Sequence, residues 1–193
     1  VITTLNRFLG ENTPVATDVG QHQMWAAQYL NLKTSRRFLS SGGLGTMGFG
    51  MGAAIGAALG CGERSVLVTG DGSFGMNLNE LATAVANQIP MVILLLDNNV
   101  LGMVRQWQTL FFDKHYSNTN LDARKTDFVK LAEAFGAEGS RALTIPELEA
   151  ALAKAFSWNG PYLIDCAIDR DEFVLPMLPP GGSMDDIITR IGD

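Results

Sequence analysis

Short apolar runs alternate along this chain with stretches in which apolar residues recur at the spacing of an α-helix. The runs at residues 14–17, 65–69, 91–96 and 162–168 predict strands, and residues 37–39 are a weaker candidate. This alternation is typical of βα units that build a parallel sheet. We therefore expect an α/β fold in a single domain, with a doubly wound, mostly parallel sheet and helices on both faces.

The helices are predicted from the same pattern. Three stripes at positions i, i+3, i+4 and i+7 indicate amphipathic helices; their members are Leu78, Leu81, Ala82 and Val85, then Phe128, Leu131, Ala132 and Phe135, and finally Leu148, Ala151, Leu152 and Ala155. Further helices are expected at residues 2–9, 21–30 and about 49–59. The domain itself is expected to cover residues 1–168. Residues 169–193 contain several prolines and glycines and predict an extended tail with a short helix at its end.

Composition narrows the class of protein. Hydrophobic residues occupy 47% of the 193 positions and the formal net charge is −6, which fits a globular domain and argues against a nucleic-acid partner. No apolar run approaches the roughly 20 residues of a membrane-spanning helix, so a membrane partner is not expected. Cys61 and Cys166 lack the spacing of a metal or redox motif. We expect both thiols to be buried and reduced, as in a cytoplasmic protein.

The candidate chemistry lies at two predicted strand ends. Gly70-Asp71-Gly72 follows one buried run and Asn98-Asn99 follows the next. Because the carboxyl ends of neighbouring parallel strands border one crevice, we expect Asp71 and Asn98 to converge on one ligand. Glycines let a diphosphate approach the backbone, and the start of the next helix, with Ser73, offers donors to an anion. Each motif alone fits an ordinary turn, but together they indicate a Mg²⁺ and diphosphate site.

This pair of motifs resembles the signature of the thiamine-diphosphate enzymes, in which a GDG motif is followed by an Asn doublet. Three further segments resemble the large catalytic subunits of acetolactate synthase, also called acetohydroxyacid synthase: DVGQHQMW at residues 18–25, SGGLGTMG at 41–48 and LGMVRQWQ at 101–108. The resemblance covers nearly the whole chain. It implies that the chain corresponds to the C-terminal, diphosphate-binding third of such a subunit.

The resemblance also implies roles for individual residues. The Mg²⁺ ligands would be Asp71, Asn98 and the main-chain carbonyl of Val100. Thiamine diphosphate would be bound by these three together with Gln21, His22, Gly45, Met47, Gly70, Gly72, Ser73 and Gly102. Met103 and Trp107 would line the substrate pocket, with Trp107 favouring the larger acceptor. Without the family, Met47, Met103 and Trp107 fit equally well as packing residues.

The implied activity is decarboxylation of pyruvate and transfer of the two-carbon unit to pyruvate or 2-ketobutyrate, in branched-chain amino-acid biosynthesis. The family's activating glutamate lies in the pyrimidine-binding domain of another subunit, so this chain contains no catalytic residue of that kind and is expected to be inactive alone. FAD would be bound by a different domain of the full-length enzyme. A homo-oligomer and a regulatory small subunit are further implied partners, and the tail would close over the active site.

Two other interpretations stay open from the sequence. The length allows a natural subunit of a two-chain thiamine-dependent 2-keto acid decarboxylase, although the Trp107 segment and the tail favour the synthase. A doubly wound domain also serves in some proteins only as an interaction scaffold. The intact Asp71, Asn98 and glycines argue against a scaffold, and metal-dependent cofactor binding would distinguish the two.

Overall fold

A computed structural model describes residues 1–191. In that part of the chain, six strands form one sheet in the order β2-β1-β3-β4-β6-β5. They are β1 (Val15–Thr17), β2 (Phe38–Ser40), β3 (Ser65–Gly70), β4 (Met91–Asp97), β5 (Glu138–Ala142) and β6 (Pro161–Ala167). Every neighbouring pair is parallel. The predicted parallel α/β sheet is therefore confirmed.

Helices cover both faces of the sheet. The described residues form α1 (Ile2–Leu5), α2 (Gln21–Tyr29), α3 (Phe49–Cys61), α4 (Asp71–Asn77), α5 (Leu81–Ala86), α6 (Gly102–Phe111), α7 (Phe128–Phe135) and α8 (Ile145–Ser157). Helices α3, α4, α5 and α7 pack on one face, and α1 and α8 pack on the other. The apolar stripe predicted for α8 is fully buried. The sheet thus has two hydrophobic cores, one on each side.

The central strands belong to both cores. Along β4, alternate side chains enter the core on one face or the other: Met91, Ile93 and Leu95 on one side, Val92, Leu94 and Leu96 on the opposite side. A parallel strand that is covered on both faces has no solvent-facing positions, so its sequence is a continuous apolar run. This explains why β3 and β4 were predicted correctly from their apolar runs.

The strand order creates a switch point between β1 and β3. The chain leaves β1 for β2 on one side and then crosses to β3 on the other side of β1. The turns that follow such strands diverge and leave a crevice outside their carboxyl ends. The turn after β1 begins at Asp18, the segment after β3 at Asp71 and the turn after β4 at Asn98. Three turns therefore open on the same edge of the sheet.

Two helix predictions are wrong in detail. Helix α1 ends at Leu5 rather than at residue 9. The stripe that starts at Leu78 was expected to lie on one continuous helix, but a 3₁₀ turn over Leu78–Glu80 separates α4 from α5. The turn changes the phase of the following helix, so Ala84 is buried whereas Ala82 is exposed.

Strand β5 and the environment of Cys61 also differ from expectation. The β5 sequence EGSRA contains no apolar run because this strand lies at the edge of the sheet, and it was not predicted. Cys166 is buried as expected, but Cys61 is exposed at the last residue of α3; both thiols are free. Within residues 1–191, no helix is both long and apolar enough to cross a membrane.

The tail is folded against the domain over residues 169–191. Val174 is completely buried, and Met177 forms an antiparallel bridge with Ile188. A 3₁₀ turn over Met184–Asp186 is the short helix expected near the end. Residues 192 and 193 of the predicted tail lie outside the described residues.

A buried carboxylate joins α3 to the central strands. Asp18 Oδ1 accepts hydrogen bonds from the main-chain N–H groups of Gly48 at 2.8 Å and Gly50 at 3.0 Å. Its Oδ2 accepts from the Thr69 hydroxyl at 2.8 Å. These bonds hold the start of α3 so close to β1 that a Cβ atom on Gly50 would lie 2.9 Å from the Asp18 nitrogen and 2.6 Å from Leu67 Cδ1. Helix α3 therefore docks through a position that has no room for a side chain.

This contact yields a matched pair of substitutions within one helix. Gly50→Ala should lower the free energy of unfolding by roughly 1–3 kcal/mol, because the new methyl group overlaps backbone. Gly56→Ala should raise it by about 0.4–1 kcal/mol, because alanine restricts the unfolded chain and a Cβ there meets nothing within 4 Å. Urea denaturation of the two variants checks the pair. Equal effects at both positions would contradict the close docking of α3.

Candidate functional site

A cavity lies at the edge of the sheet where the three turns open. It brings together every residue that was predicted to bind the cofactor or metal, and also Met103; the members are Gln21, His22, Gly45, Met47, Gly70, Asp71, Gly72, Ser73, Asn98, Val100, Gly102 and Met103. Trp107 does not line this cavity. Residues far apart in sequence thus share one site because the parallel strands end at the same level.

The two side chains of the Asn doublet face different ways. Asn98 is buried and lines the cavity, and its Oδ1 accepts a hydrogen bond from the Val100 N–H at 3.2 Å. Asn99 is exposed and has a left-handed backbone, with φ of 56°. An amide oxygen has two lone pairs, so Asn98 Oδ1 keeps one for a second partner. The geometry therefore supports Asn98 rather than Asn99 as a ligand.

Asp71 is a carboxylate in an environment that disfavours its charge. The pKa of Asp71 is raised to about 7: burial is the largest cause and the charge of the nearby Asp97 adds to it, whereas a hydrogen bond from the Gly72 N–H and the charge of Arg124 act to lower it. The pKa of Asp97 is itself raised by burial and by Asp165. A divalent cation would offset this repulsion and favour the ionised form of Asp71.

The residues around Asp71 limit which metal chemistry is possible. Within residues 1–191, no three His, Cys, Asp or Glu side chains come together in a metal-binding cluster. A cation bound at Asp71 would therefore be completed by neutral oxygens such as those of Asn98 and the Val100 main chain. Mg²⁺ commonly binds in this way, with one or two carboxylates and the rest from water and phosphate.

Arg124 supports the segment that carries Asp71. Its Nη1 donates a hydrogen bond to the Asp71 carbonyl at 2.7 Å from a 3₁₀ turn over Asp122–Arg124. This contact was not predicted. It joins residues on two unrelated loops, and no motif surrounds Arg124, so the sequence carries no signal that would have identified it.

Within the described residues, two buried polar atoms in the cavity wall have no hydrogen-bond partner. His22 Nε2 and Gln21 Oε1 are inaccessible to solvent and make no hydrogen bond with other described residues. Burial lowers the pKa of His22 to about 3, so the imidazole is neutral. Unpaired buried polar atoms are costly unless a ligand or water satisfies them. The cavity is therefore suited to a polar occupant that can form hydrogen bonds with these atoms.

The glycines of the cavity wall provide room for close contact with backbone. A Cβ atom on Gly70 would lie 2.9 Å from His22 Nδ1, and one on Gly72 would lie 2.7 Å from Leu101 Cδ2. A Cβ on Gly102 would overlap Gln21 Oε1. The Ser73 hydroxyl already donates to the Val19 carbonyl at 2.6 Å, so its proton is not free for an anion. Any bond that Ser73 donates to an anion would come from its main-chain N–H.

Trp107 lies in a second, more open cavity next to the first. This outer cavity is formed by α6 and the loop after it, and Met103 and Val104 line both cavities. The Trp107 ring packs edge-on against Phe111 with centroids 5.3 Å apart, and 37% of the residue is exposed. The structure thus brings Met103, but not Trp107, to the first cavity, and it places the two residues one helical turn apart.

Six apolar residues that line the cavity were not predicted as site residues: Val19, Leu101, Val104, Trp25, Leu96 and Ile168. The last three could have been found from the sequence. Trp25 follows Gln21 by four positions on α2, which places both on one side of the helix. Leu96 lies at the end of β4, and Ile168 directly follows β6. The helix period and the rule that sites lie at strand ends would have found all three.

Comparison with known proteins agrees with this geometry. The family model described as "Thiamine pyrophosphate enzyme, C-terminal TPP binding domain" matches residues 18–166. The acetolactate synthase isozyme 2 large subunit of Escherichia coli is 48% identical over 92% of this chain and 32% of its own length. A probable acetolactate synthase large subunit of Methanococcus aeolicus is 46% identical over 99% of this chain and 31% of its own. The mitochondrial acetolactate synthase catalytic subunit of Saccharomyces cerevisiae is 46% identical over 93% and 26%.

These relatives are longer than the chain, which spans about a third of their length. The family model itself covers most of the chain, including the turns after β1, β3 and β4. The resemblance inferred from the motifs is therefore confirmed. The chain belongs to the thiamine pyrophosphate enzymes, in which it is the C-terminal domain that binds thiamine diphosphate.

Proposed function

We propose that this domain acts within an acetolactate synthase large subunit, which decarboxylates pyruvate and condenses the two-carbon unit with pyruvate or 2-ketobutyrate. The observation that carries the proposal is the shared cavity of Asp71, Asn98 and the cofactor residues, in a chain 46–48% identical to several acetolactate synthase subunits. The product would enter branched-chain amino-acid biosynthesis.

We propose Mg²⁺ as the metal, with the Asp71 carboxylate, Asn98 Oδ1 and the Val100 carbonyl as ligands. The burial of all three residues in one cavity supports this assignment. The raised pKa of Asp71 supports it further, because a cation is the partner that such a carboxylate lacks. Together these groups would hold the metal against the diphosphate.

The remaining cavity residues would bind the two ends of the cofactor. His22 and the backbone at Gly70, Gly72 and Ser73 would bind the diphosphate end. Gly45 and Met47 would contact the aminopyrimidine, and the Met47 side chain would enforce its bent shape. When bound, thiamine diphosphate supplies a thiazolium ring that acts as an electron sink for decarboxylation of a 2-keto acid. This chain holds and orients that group in a cavity with apolar walls.

Substrate recognition would involve α6 and the tail. Met103 lies on the border between the two cavities, which supports a role beside the reacting substrate. Trp107 would form an apolar wall of the outer cavity against the larger acceptor. Residues 169–193 would act as the flap over the site that the domain of residues 1–168 forms.

We also propose partners and a cellular location for this protein. The names of several relatives include "large subunit", which is consistent with a regulatory small subunit for this protein as well. A pyrimidine-binding domain of another subunit would supply the activating glutamate, within a homo-oligomer, and FAD would bind elsewhere in the longer enzyme. The cytoplasm is the location we propose.

A domain exchange tests the activity. This chain would replace the segment that it matches in the Escherichia coli isozyme 2 large subunit, and acetolactate would be assayed with pyruvate alone and with added 2-ketobutyrate. We expect both condensation products. A folded exchange protein that binds thiamine diphosphate but releases acetaldehyde would favour the decarboxylase alternative. Absence of any Mg²⁺-dependent cofactor binding would favour the scaffold.

The metal assignment predicts opposite effects of Asp71→Asn on binding and on stability. The variant should lose Mg²⁺-dependent binding of thiamine diphosphate in calorimetric titrations of the exchange protein. In the metal-free chain, the pKa of Asp71 is about 7 when folded, against 3.8 for an unperturbed aspartate, so the folded state loses stability as pH rises from about 4 to 7. Asp71→Asn should therefore stabilise the metal-free chain at pH 8, by up to about 4 kcal/mol.

This stability difference should shrink towards pH 5, where the wild-type carboxyl is protonated. Denaturant unfolding at the two pH values measures it. Unchanged cofactor affinity in the variant would remove Asp71 from the metal site. A variant less stable than wild type at pH 8 would contradict the electrostatic account of Asp71.

The proposed role of Trp107 is tested by Trp107→Leu in the exchange protein. We expect the preference for 2-ketobutyrate over pyruvate to fall by roughly 10-fold and by no more than about 200-fold, since an apolar wall discriminates one methyl group only this far. Formation of acetolactate from pyruvate alone should be largely retained. Trp158→Leu is the control, because Trp158 is also partly exposed but lies at the end of α8. An unaltered product ratio would make Trp107 a packing residue.

A further inference from the structure

The loop after α6 returns to the turn that follows β4. Val100 in this turn forms an isolated antiparallel bridge with Asn120. Two main-chain hydrogen bonds of 2.8 Å form the bridge, from the Leu101 N–H to the Thr119 carbonyl and from the Leu121 N–H to the Asn99 carbonyl. Both peptide units that flank Val100 are therefore bonded to residues 119–121, which we call the returning segment.

These two bonds determine where the main chain of Val100 points. In a trans peptide unit, the C=O and N–H groups point in opposite directions. Because the Leu101 N–H points towards the returning segment, the Val100 carbonyl, which belongs to the same peptide unit, points away from it. The Val100 N–H points away for the same reason and donates to Asn98 Oδ1 at 3.2 Å. The Val100 carbonyl therefore lies on the same side of the turn as Asn98 Oδ1, and no main-chain donor within residues 1–191 bonds to it.

The regular elements alone do not hold this turn. β4 ends at Asp97 and α6 begins at Gly102, so Val100 belongs to neither. Asn99 has a left-handed backbone, with φ of 56°, a conformation that a residue other than glycine keeps only when its surroundings support it. The returning segment supplies this support because it bonds to the turn on both sides of Val100.

The returning segment is anchored to α6 through Gln108. Thr119 is 2% exposed, and its hydroxyl donates to Gln108 Oε1 at 3.0 Å. Gln108 Nε2 donates to the Ser117 carbonyl at 3.1 Å. A main-chain carbonyl can only accept, so the bond to Ser117 identifies the nitrogen of the Gln108 amide and leaves its oxygen for Thr119. One side chain on α6 thus holds the returning loop at two points.

The same part of the chain reaches the turn after β3. Arg124 follows the returning segment in a 3₁₀ turn, and its N–H donates to the Leu121 carbonyl at 2.9 Å. Its Nη1 donates to the Asp71 carbonyl at 2.7 Å. Residues 119–124 therefore bond to the main chain of both turns that carry proposed metal ligands.

We propose that Thr119 and Gln108 are positioning residues for the metal: their side-chain bond holds the returning segment against residues 99–101 and thereby aims the Val100 carbonyl at the cation. This assignment rests on the proposed function, in which that carbonyl is a Mg²⁺ ligand. Mg²⁺ demands nearly ideal octahedral geometry, so a carbonyl that is held in place before the ion arrives binds it better than a mobile one. Loss of the bond between Thr119 and Gln108 therefore weakens metal binding, although neither side chain is itself a ligand.

The test uses the exchange protein described above and has two readouts. The first is hydrogen–deuterium exchange at the Leu101 amide, measured by mass spectrometry without Mg²⁺ or cofactor. The second is the Mg²⁺ concentration that gives half-maximal binding in calorimetric titrations at a fixed concentration of thiamine diphosphate. Thr119→Val nearly keeps the shape of the side chain and removes its hydroxyl. We expect the Leu101 amide to exchange about fivefold faster or more, and the half-saturating Mg²⁺ concentration to rise by a similar factor.

Three further variants separate positioning from packing. Thr119→Ser retains the hydroxyl and should return both readouts to near the wild-type values. Thr109→Val removes a hydroxyl on α6 that bonds to the Arg105 carbonyl and to Tyr116 rather than to the returning segment, so neither readout should change. Gln108→Met should have at least the effect of Thr119→Val. Adding Thr119→Val to it should change little, because both substitutions remove the same bond.

Faster exchange at Leu101 together with a higher Mg²⁺ requirement, restored by serine and not additive with Gln108→Met, supports the proposal. A Thr119→Val variant with wild-type exchange at Leu101 would overturn it. So would a variant that exchanges faster, or unfolds at a lower temperature, with an unchanged Mg²⁺ requirement, because Thr119 would then only pack. The first readout involves no ligand and the second no product, so neither depends on whether the exchange protein forms acetolactate.

Discussion

The register between β3 and β4 is the constraint on which the site depends. Gly70 is paired with Leu96, so Asp71 comes level with Asp97 and Asn98 follows one residue later. The pairing of Thr17 with Val68 similarly brings Asp18 beside Thr69. A slip of one residue would exchange the two faces of a strand, and both faces here are packed in a core. The hydrophobic cores therefore determine where the polar turns meet.

This arrangement opposes the stability of the domain. Burial raises the pKa of Asp71, and the register that positions Asp71 also brings Asp97 close enough to repel it. His22 is held neutral, and in the part of the chain that the structure describes, His22 and Gln21 each have a buried polar atom without a hydrogen-bond partner. Such groups are unfavourable in an isolated fold and favourable once a charged ligand is present, which is typical of functional sites. The central strands, buried on both faces, supply the compensating apolar contacts.

A feature of the fold could be predicted from the sequence where neighbouring residues determine it, and could not where distant residues do. β3 and β4 are covered on both faces, so their apolar runs located them to within one residue. The edge strand β5 has no such run, and its place is set by pairing with β6. The 3₁₀ turn between α4 and α5 interrupts the apolar stripe that was expected to lie on one helix from Leu78 onwards. The motif residues were found because strand ends share an edge. The hydrogen bond from Arg124 to the Asp71 carbonyl and the one from Gln21 to Gln106 form only in the tertiary structure, so no local sequence pattern predicts them.

Helix α6 connects the parts of the site that sequence reasoning treated separately. It begins at Gly102, where the absence of a Cβ allows Gln21 to approach, and Met103 lies between the two cavities. Gln106 and Trp107 are adjacent in sequence, but neighbouring helix positions face about 100° apart. Gln106 therefore faces the tail, where its side-chain amide bonds to the main chain of Val174, while Trp107 faces the outer cavity. Because one helix carries all these contacts, we expect a shift of α6 to change the cofactor cavity, the outer cavity and the docking of the tail together.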